Sequence, residues 1–232
     1  MSEPVVKLRH RIIPILAAIA VITGLVLLSW HGYRAVLAQP VKRVVFAGDL
    51  DRLPHADLEA LSQAIQRAER PTLEAVREAA KRVPWVRDAS VRRRFPDAVE
   101  IRFQAHEALA RWNERSLVSP AGEVFVADDA RDLPLFRGAE GAATAMAAEY
   151  PALVAALAPL GSPVKELRLS PRGAWEARLA NGLAIQLGRG DWQPRVQRFV
   201  SVWGRLPEPA RATRHADLRY PNGFALRATA SK

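Results

Sequence analysis

Residues 71–103 read PTLEAVREAAKRVPWVRDASVRRRFPDAVEIRF. After Pro71, the apolar residues Leu73, Val76, Ala80 and Val83 recur at intervals of three and four, which is one face of an amphipathic helix. Pro84 has no amide hydrogen to give and is expected to end that helix. Val86–Arg94 alternates as a strand does, and Pro96–Asp97 supplies a turn. Ala98–Phe103 then puts Val99, Ile101 and Phe103 on one face of a second strand, because successive strand side chains point to opposite sides. Toward the N-terminus, Pro54–Ala68 carries Leu58, Leu61, Ile65 and Ala68 at helical spacing, and Val41–Gly48 (VKRVVFAG) is a short strand closing on glycine. The order is β-α-α-β-β. Two such helices must cover one side of the small sheet to bury their apolar faces.

Further toward the N-terminus, residues 12–33 contain no Asp, Glu, Lys or Arg, and 12–30 (IIPILAAIAVITGLVLLSW) are almost wholly apolar. At about 1.5 Å rise per residue this is enough helix to cross roughly 30 Å of hydrocarbon. Pro14 falls in the first turn, where a missing N–H does no harm, and Trp30 and Tyr33 lie where an aromatic belt would sit. Lys7, Arg9 and Arg11 on the short flank keep that end in the cytoplasm by the positive-inside rule. The expected organisation is a basic tail at 1–11, a transmembrane helix at 12–33, a β-α-α-β-β domain at 41–107 and a second domain at 108–232. The rival reading is a cleaved signal peptide ending near Val36 and Ala38; the apolar core is longer than the usual 7–15 residues of such a peptide. Either way the bulk of the chain is exported.

The second domain changes pattern. ALARW, SLVS, EVFVA and LPLF follow one another as short strands, with Ser119–Gly122 as a turn. A helical stretch from Ala142 to Leu160 is interrupted by Pro151, which is expected to break it. VKELRLS, WEARLA and LAIQLG are strands, and Asn181-Gly182 between the last two is a strong hairpin signal. Val196, Phe199, Val200 and Trp203 mark another amphipathic helix; HADLRY and FALRA form a closing strand pair. The fold class is α+β, its second domain a mostly antiparallel sheet with helices.

The 232 residues carry 34 Lys and Arg against 24 Asp and Glu, a surplus that suits an anionic neighbour. The densest basic run, Arg92–Arg94, could touch phosphates of lipid or nucleic acid, or could be the outward side of a strand that keeps a sheet edge soluble. The scatter of the other cations argues against a nucleic-acid stripe. Without cysteine there are no disulfides, zinc ribbons or thiol nucleophiles. His10, His31, His55, His106 and His215 share no metal-ligand spacing, and no nucleophile elbow or Walker lysine is present. Asp128-Asp129 reads as a solvated loop, Gly188-Arg189-Gly190 as a turn, and Asp191 as the N-cap of the helix that follows it. Neither a catalytic residue, a metal site nor a cofactor is expected.

The whole chain resembles the FtsQ/DivIB family of bacterial cell-division proteins, whose β-α-α-β-β module is a POTRA domain. Four segments carry the likeness: KRVPWV at 81–86 with Ala89, Val91 and Arg94-Phe95-Pro96; ARWN at 110–113 with Leu117-Val118 and GEVF at 122–125; Leu187-Gly188-Arg189 with Arg195, Arg198 and Phe199-Val200; and DLRY at 217–220 followed by Asn222-Gly223. One departure is His106-Glu107, where the family pattern has Glu and then a basic residue.

The resemblance implies a non-enzymatic scaffold of the division septum. It would be a single-pass protein of the cell inner membrane with a periplasmic C-terminal domain. Implied partners are the division proteins FtsB and FtsL, with FtsW, FtsI and FtsK as further septal contacts. Tyr220 matches the family's interface tyrosine, Asn222 and Gly223 follow at matching positions, and Arg172 stands where the family places an arginine that pairs with an acidic residue of FtsB. A final strand from about Tyr220 to Arg227, with Phe224, Ala225, Leu226 and Arg227 on it, would lie near the chain end with its edge uncovered, and a partner strand could add there. The plainer readings are a core tyrosine for Tyr220, a turn arginine for Arg172, and a hairpin turn at Asn222-Gly223 that shortens the strand. Two other functions compete: a POTRA-type chaperone or transport component for exported proteins, and an exported enzyme acting on peptidoglycan.

Overall fold

The computed structural model describes residues 19–34, 41–68, 71–95, 97–211 and 213–227. Residues 19–34 are helical (α1), and their side chains are exposed along the whole length. The rest of the expected span, 12–18, lies outside the described residues, as do the basic tail and the alternative cleavage site. The chain divides into two compact units, Met1–Ala105 and His106–Lys232.

In the first unit, β1 (Arg43–Gly48), α2 (His55–Arg67), α3 (Leu73–Ala80), β2 (Val86–Arg94) and β3 (Ala98–Ala105) follow in order. The sheet order is β1-β3-β2, with β1 parallel and β2 antiparallel to the central β3. Val99, Ile101 and Phe103 are buried together with Leu58, Leu61 and Val76 of the helices. Thr72, rather than Pro71, starts α3: its hydroxyl accepts from the Ala75 amide at 3.1 Å. The helix stops at Ala80, four residues before Pro84, and a turn through Lys81–Val83 carries the chain on, with Val83 still buried. Trp85 follows at φ +71 and only 7% exposed. A bulky residue holds that backbone only where surrounding packing over-determines it.

Glu100 is 3% exposed although it lies on the strand face opposite Val99 and Ile101. Arg92, its cross-strand neighbour, reaches it at 2.8 Å, Arg94 at 2.6 Å and Arg102 at 3.8 Å. The basic run is therefore not simply an outward solubilising stripe: two of its arginines roof a buried carboxylate. The Arg92 hydrogen bond, backed by the neighbouring charges, outweighs desolvation and holds Glu100 below the ordinary carboxylate range.

In the second unit, β4 (Ala110–Trp112), β5 (Ser116–Val118), β6 (Val124–Phe125), β7 (Leu135–Gly138), β8 (Val164–Leu169), β9 (Ala174–Leu179), β10 (Ala184–Arg189), β11 (His215–Asp217) and β12 (Ala225–Arg227) form one nine-stranded sheet. Its order is β12-β11-β10-β9-β8-β7-β4-β5-β6. Five neighbour pairs are antiparallel, and β4–β7, β7–β8 and β10–β11 are parallel. The parallel pairs need crossovers. α4 (Ala143–Leu157) makes the one between β7 and β8, and α5 (Gln193–Trp203) with α6 (Glu208–Arg211) makes the one between β10 and β11. Both long helices supply the core: Met146, Leu153 and Leu157 from α4, Val196 and Phe199 from α5, packed with sheet residues such as Leu167 and Ile185.

Pro151 does not break α4, which runs unbroken from Ala143 to Leu157. Proline removes one backbone hydrogen bond, but Ala143 and Met146 before it and Leu153 and Leu157 after it are buried in one core, and that burial holds both halves in line. α4 and the 3-10 turn after it are long and apolar enough to cross a membrane, yet this stretch packs one side, through Met146, Leu153, Leu157 and Leu160, into the sheet's hydrophobic core. Asp191 stands one residue before the position expected for a cap. Trp192 is the N-cap of α5, and the Asp191 carboxylate accepts from the Gln193 amide at 3.0 Å. Gly188 lies inside β10 at a bulge, with φ +80, rather than in a turn after the strand. Asp129 is not solvated: its side chain is 6% exposed and clamped by Arg131 at 2.6 Å, which lowers its pKa.

Candidate functional site

β12 is an outermost strand of the nine-stranded sheet. Three residue pairs join it to β11: His215 with Arg227, Ala216 with Leu226, and Asp217 with Ala225. On its other side no described residue pairs with it, so it presents backbone donors and acceptors along that margin. The strand is shorter than expected, because Tyr220–Phe224 lie before it in a turn and a short connection. Pro221 explains the early stop: it has no amide to give to a ladder and fixes its own φ, so strand pairing begins only beyond the turn. Asn222 and Gly223 belong to that connection and not to the ladder.

Tyr220 is 53% exposed, which sets aside a core role for its ring. Its carbonyl accepts from the Arg198 guanidinium at 3.3 Å, so α5 steadies the backbone beneath an outward phenol. Phe224 behaves oppositely. It is half-buried, and its ring meets Phe199 edge-on with centroids 5.0 Å apart. Leu226 is half-buried against the same core, while Ala225 and Arg227 are exposed. The connection is thus pinned by one aromatic and offers another.

Arg172 is exposed in the tight turn between β8 and β9, where the Gly173 amide donates to the Ser170 carbonyl at 2.9 Å and Gly173 adopts φ +75. The ladder places this turn and the Tyr220–Phe224 connection at one end of the sheet: Ala174 is opposite Arg189 at the close of β10, and β11 runs parallel to β10. Three strand spacings separate the two turns, roughly 14 Å. Arg172 and Tyr220 therefore share a rim without being neighbours.

Two groups on this rim carry structure although neither was among the expected partner-binding residues. Asp217, 9% exposed, accepts from both the backbone amide and the guanidinium of Arg219, at 3.1 Å and 2.8 Å. The guanidinium hydrogen bond lowers the Asp217 pKa against the opposing effect of burial. Arg195 donates to the Arg189 carbonyl at 2.8 Å, tying α5 to the end of β10. The local spacing D-x-R is the one signal that could have revealed the first pair. Among the described residues, no group of three or more His, Cys, Asp or Glu is arranged to hold a metal ion. The rim's resources are backbone pairing, one exposed phenol and a set of arginines.

Comparison with known proteins gives two family matches in series. Residues 39–104 match the FtsQ-type POTRA domain, and residues 110–219 match the C-terminal part of the cell-division protein FtsQ/DivIB. Cell division protein FtsQ of Xanthomonas campestris pv. campestris is 33% identical over 222 residues, covering 93% of this chain and 80% of that protein. The FtsQ of Neisseria gonorrhoeae is 34% identical over 192 residues, covering 81% of this chain and 79% of its own. That of Burkholderia pseudomallei is 40% identical over 164 residues, 67% of this chain and 66% of its own. A POTRA unit followed by a sheet domain, matched in order by two family models, makes this chain a member of the FtsQ/DivIB family of cell-division proteins.

Proposed function

We propose that the chain is a divisome scaffold, held in the inner membrane by the helix that includes α1, with both units in the periplasm. It recruits FtsB and FtsL by accepting a partner strand at β12. The observation that carries this reading is the open margin of β12 beside an exposed Tyr220. A strand laid antiparallel on β12 gains main-chain hydrogen bonds, and side-chain contacts give it specificity. Tyr220 is the aromatic anchor, of the type enriched at interface hot spots. Arg172, about three strands away on the same rim, receives an acidic side chain of FtsB at the end of the added segment. Asn222 and Gly223 shape the turn, and Phe224 holds it to α5 through Phe199.

Support for the anchor comes from α1, a helix whose apolar side chains, Ile19 through Leu28, all lie outside any core. Apolar surface of that extent is stable only in lipid or against another apolar helix. The test is depletion of the protein in its own organism, complemented by variants. Depletion gives filamentous cells and the native chain restores septation. A chain truncated before residue 225 does not, although it reaches the membrane. Restoration by the truncated chain would remove β12 from the mechanism.

A further inference from the structure

We infer that the end of the POTRA sheet formed by the β2–β3 connection docks on an anionic lipid surface. This rests on the anchored reading above.

At that end Arg43, Ala98 and Arg94 stand side by side across the three strands. The Lys42 amide donates to the Asp97 carbonyl at 2.8 Å, so the chain arriving from α1 enters the unit at the β2–β3 connection. Residues 35–42 separate α1 from β1, and eight residues span at most about 29 Å. The connection is therefore held within that distance of the point where the chain leaves the membrane.

Its chemistry suits a phosphate-bearing surface. Lys42, Arg43, Arg92, Arg93, Arg94 and Arg102 are set against two carboxylates, Asp97 and Glu100, a surplus of four positive charges. Asp97 is engaged by Arg43 at 3.0 Å. Glu100 draws in Arg92, Arg94 and Arg102, yet these three side chains remain 58–65% exposed. One buried carboxylate thus fixes three guanidinium groups and leaves two charges of that cluster uncompensated, with N–H edges available for headgroup phosphates. Beside them Phe95 is 60% exposed and Val45 37% exposed. An aromatic side chain at the tip of a basic turn has the composition of an interfacial membrane contact. An acidic protein would be drawn by the charges, but it would not by itself account for a turn tethered this close to the bilayer.

The test uses the full chain in lipid nanodiscs. Because the sequence has no cysteine, Phe95→Cys takes a single environment-sensitive fluorophore, itself apolar. Gln104→Cys, exposed at the other end of β3, is the control. In discs of phosphatidylcholine with about one third phosphatidylglycerol, the label at 95 shifts to the blue and is shielded from an aqueous neutral quencher; about 0.5 M salt reverses both, since screening shortens to a few ångströms. Phosphatidylcholine discs and the label at 104 show neither effect. Lys42→Gln with Arg93→Gln, which leaves the Glu100 cluster intact, weakens docking roughly 25-fold, at about fivefold for each basic residue near an anionic surface. Docking fails if the chain stays in the discs while the label at 95 responds identically in both lipids. It also fails, in favour of a protein partner, if the label responds only to added polyglutamate. Loss of the chain from the discs under alkaline extraction overturns the anchored reading instead.

Discussion

Tyr220 and Phe224 lie four residues apart on the same connection, and truncating each to alanine should separate binding from folding. Phe224 is half-buried, with its ring edge-on to Phe199, itself fully buried. A fully buried Phe→Ala change costs about 3–5 kcal/mol, so half that burial gives about 2 kcal/mol for Phe224→Ala. For a unit of this size that lowers the melting temperature by about 5–10 °C. Tyr220 is 53% exposed and contributes no described side-chain hydrogen bond, so Tyr220→Ala should leave stability within about 0.5 kcal/mol. Its effect is expected in binding: loss of a hot-spot aromatic weakens FtsB at least roughly tenfold, about 1.4 kcal/mol. The assay pairs thermal unfolding with titration of the periplasmic part of FtsB from the same organism into each variant. If Tyr220→Ala melts as early as Phe224→Ala, the phenol is structural. If its melting temperature and its FtsB affinity both match the native protein, strand addition beside Tyr220 is refuted.

Three further outcomes follow from the geometry. Gly48 has φ +88, and an added Cβ would run into the Phe103 backbone carbonyl, so Gly48→Ala should destabilise the POTRA unit by about 2–4 kcal/mol, read as faster amide exchange in β1 and β3. Asp217 has a lowered pKa when folded, so its stabilising contribution is complete above the unfolded value of about 3.9 and fades as the pH drops toward the folded value. The melting-temperature gap between the native chain and Asp217→Asn should accordingly be constant from neutral pH to about pH 5 and narrow in more acid solution. Glu100→Gln removes the charge shared by Arg92, Arg94 and Arg102, and should lower the unfolding temperature most at low ionic strength, with the gap closing as salt screens the three cations.

The local features were legible in the sequence because their causes are local. The spacing of Leu73, Val76 and Ala80 makes α3, and Asn181-Gly182 makes the β9–β10 hairpin, where the Gly182 amide donates to the Leu179 carbonyl at 2.9 Å. What escaped depends on partners distant in the chain. Glu100 reads as a polar residue on an outward face, and only the cross-strand arrival of Arg92 and Arg94 buries it. The parallel pairings of β4–β7 and β7–β8 leave no trace in short alternating runs, since either direction of pairing uses the same alternation. Pro151 misleads for a related reason: a local rule predicts a break, and burial on both sides overrides it. At the site, residue type left a turn at Asn222-Gly223 open beside a longer strand, whereas the exposure of Tyr220 and its common rim with Arg172 required the structure and the strand order.

The ladder between β11 and β12 is three residues long, against the eight paired positions joining β2 to β3. So small a seam opens at a small fraction of the cost of global unfolding. A molecule in which β12 peels away would present a different acceptor, the bared flank of β11. Under the proposed strand addition, an incoming partner would have to shift that equilibrium before its own contacts count in full, so the measured dissociation constant would exceed the intrinsic one by the reciprocal of the zipped fraction. Such a partner, once seated, would close the seam from outside and protect the amides of both strands, so that occupancy of this margin would be read by isotope exchange at positions the partner never touches.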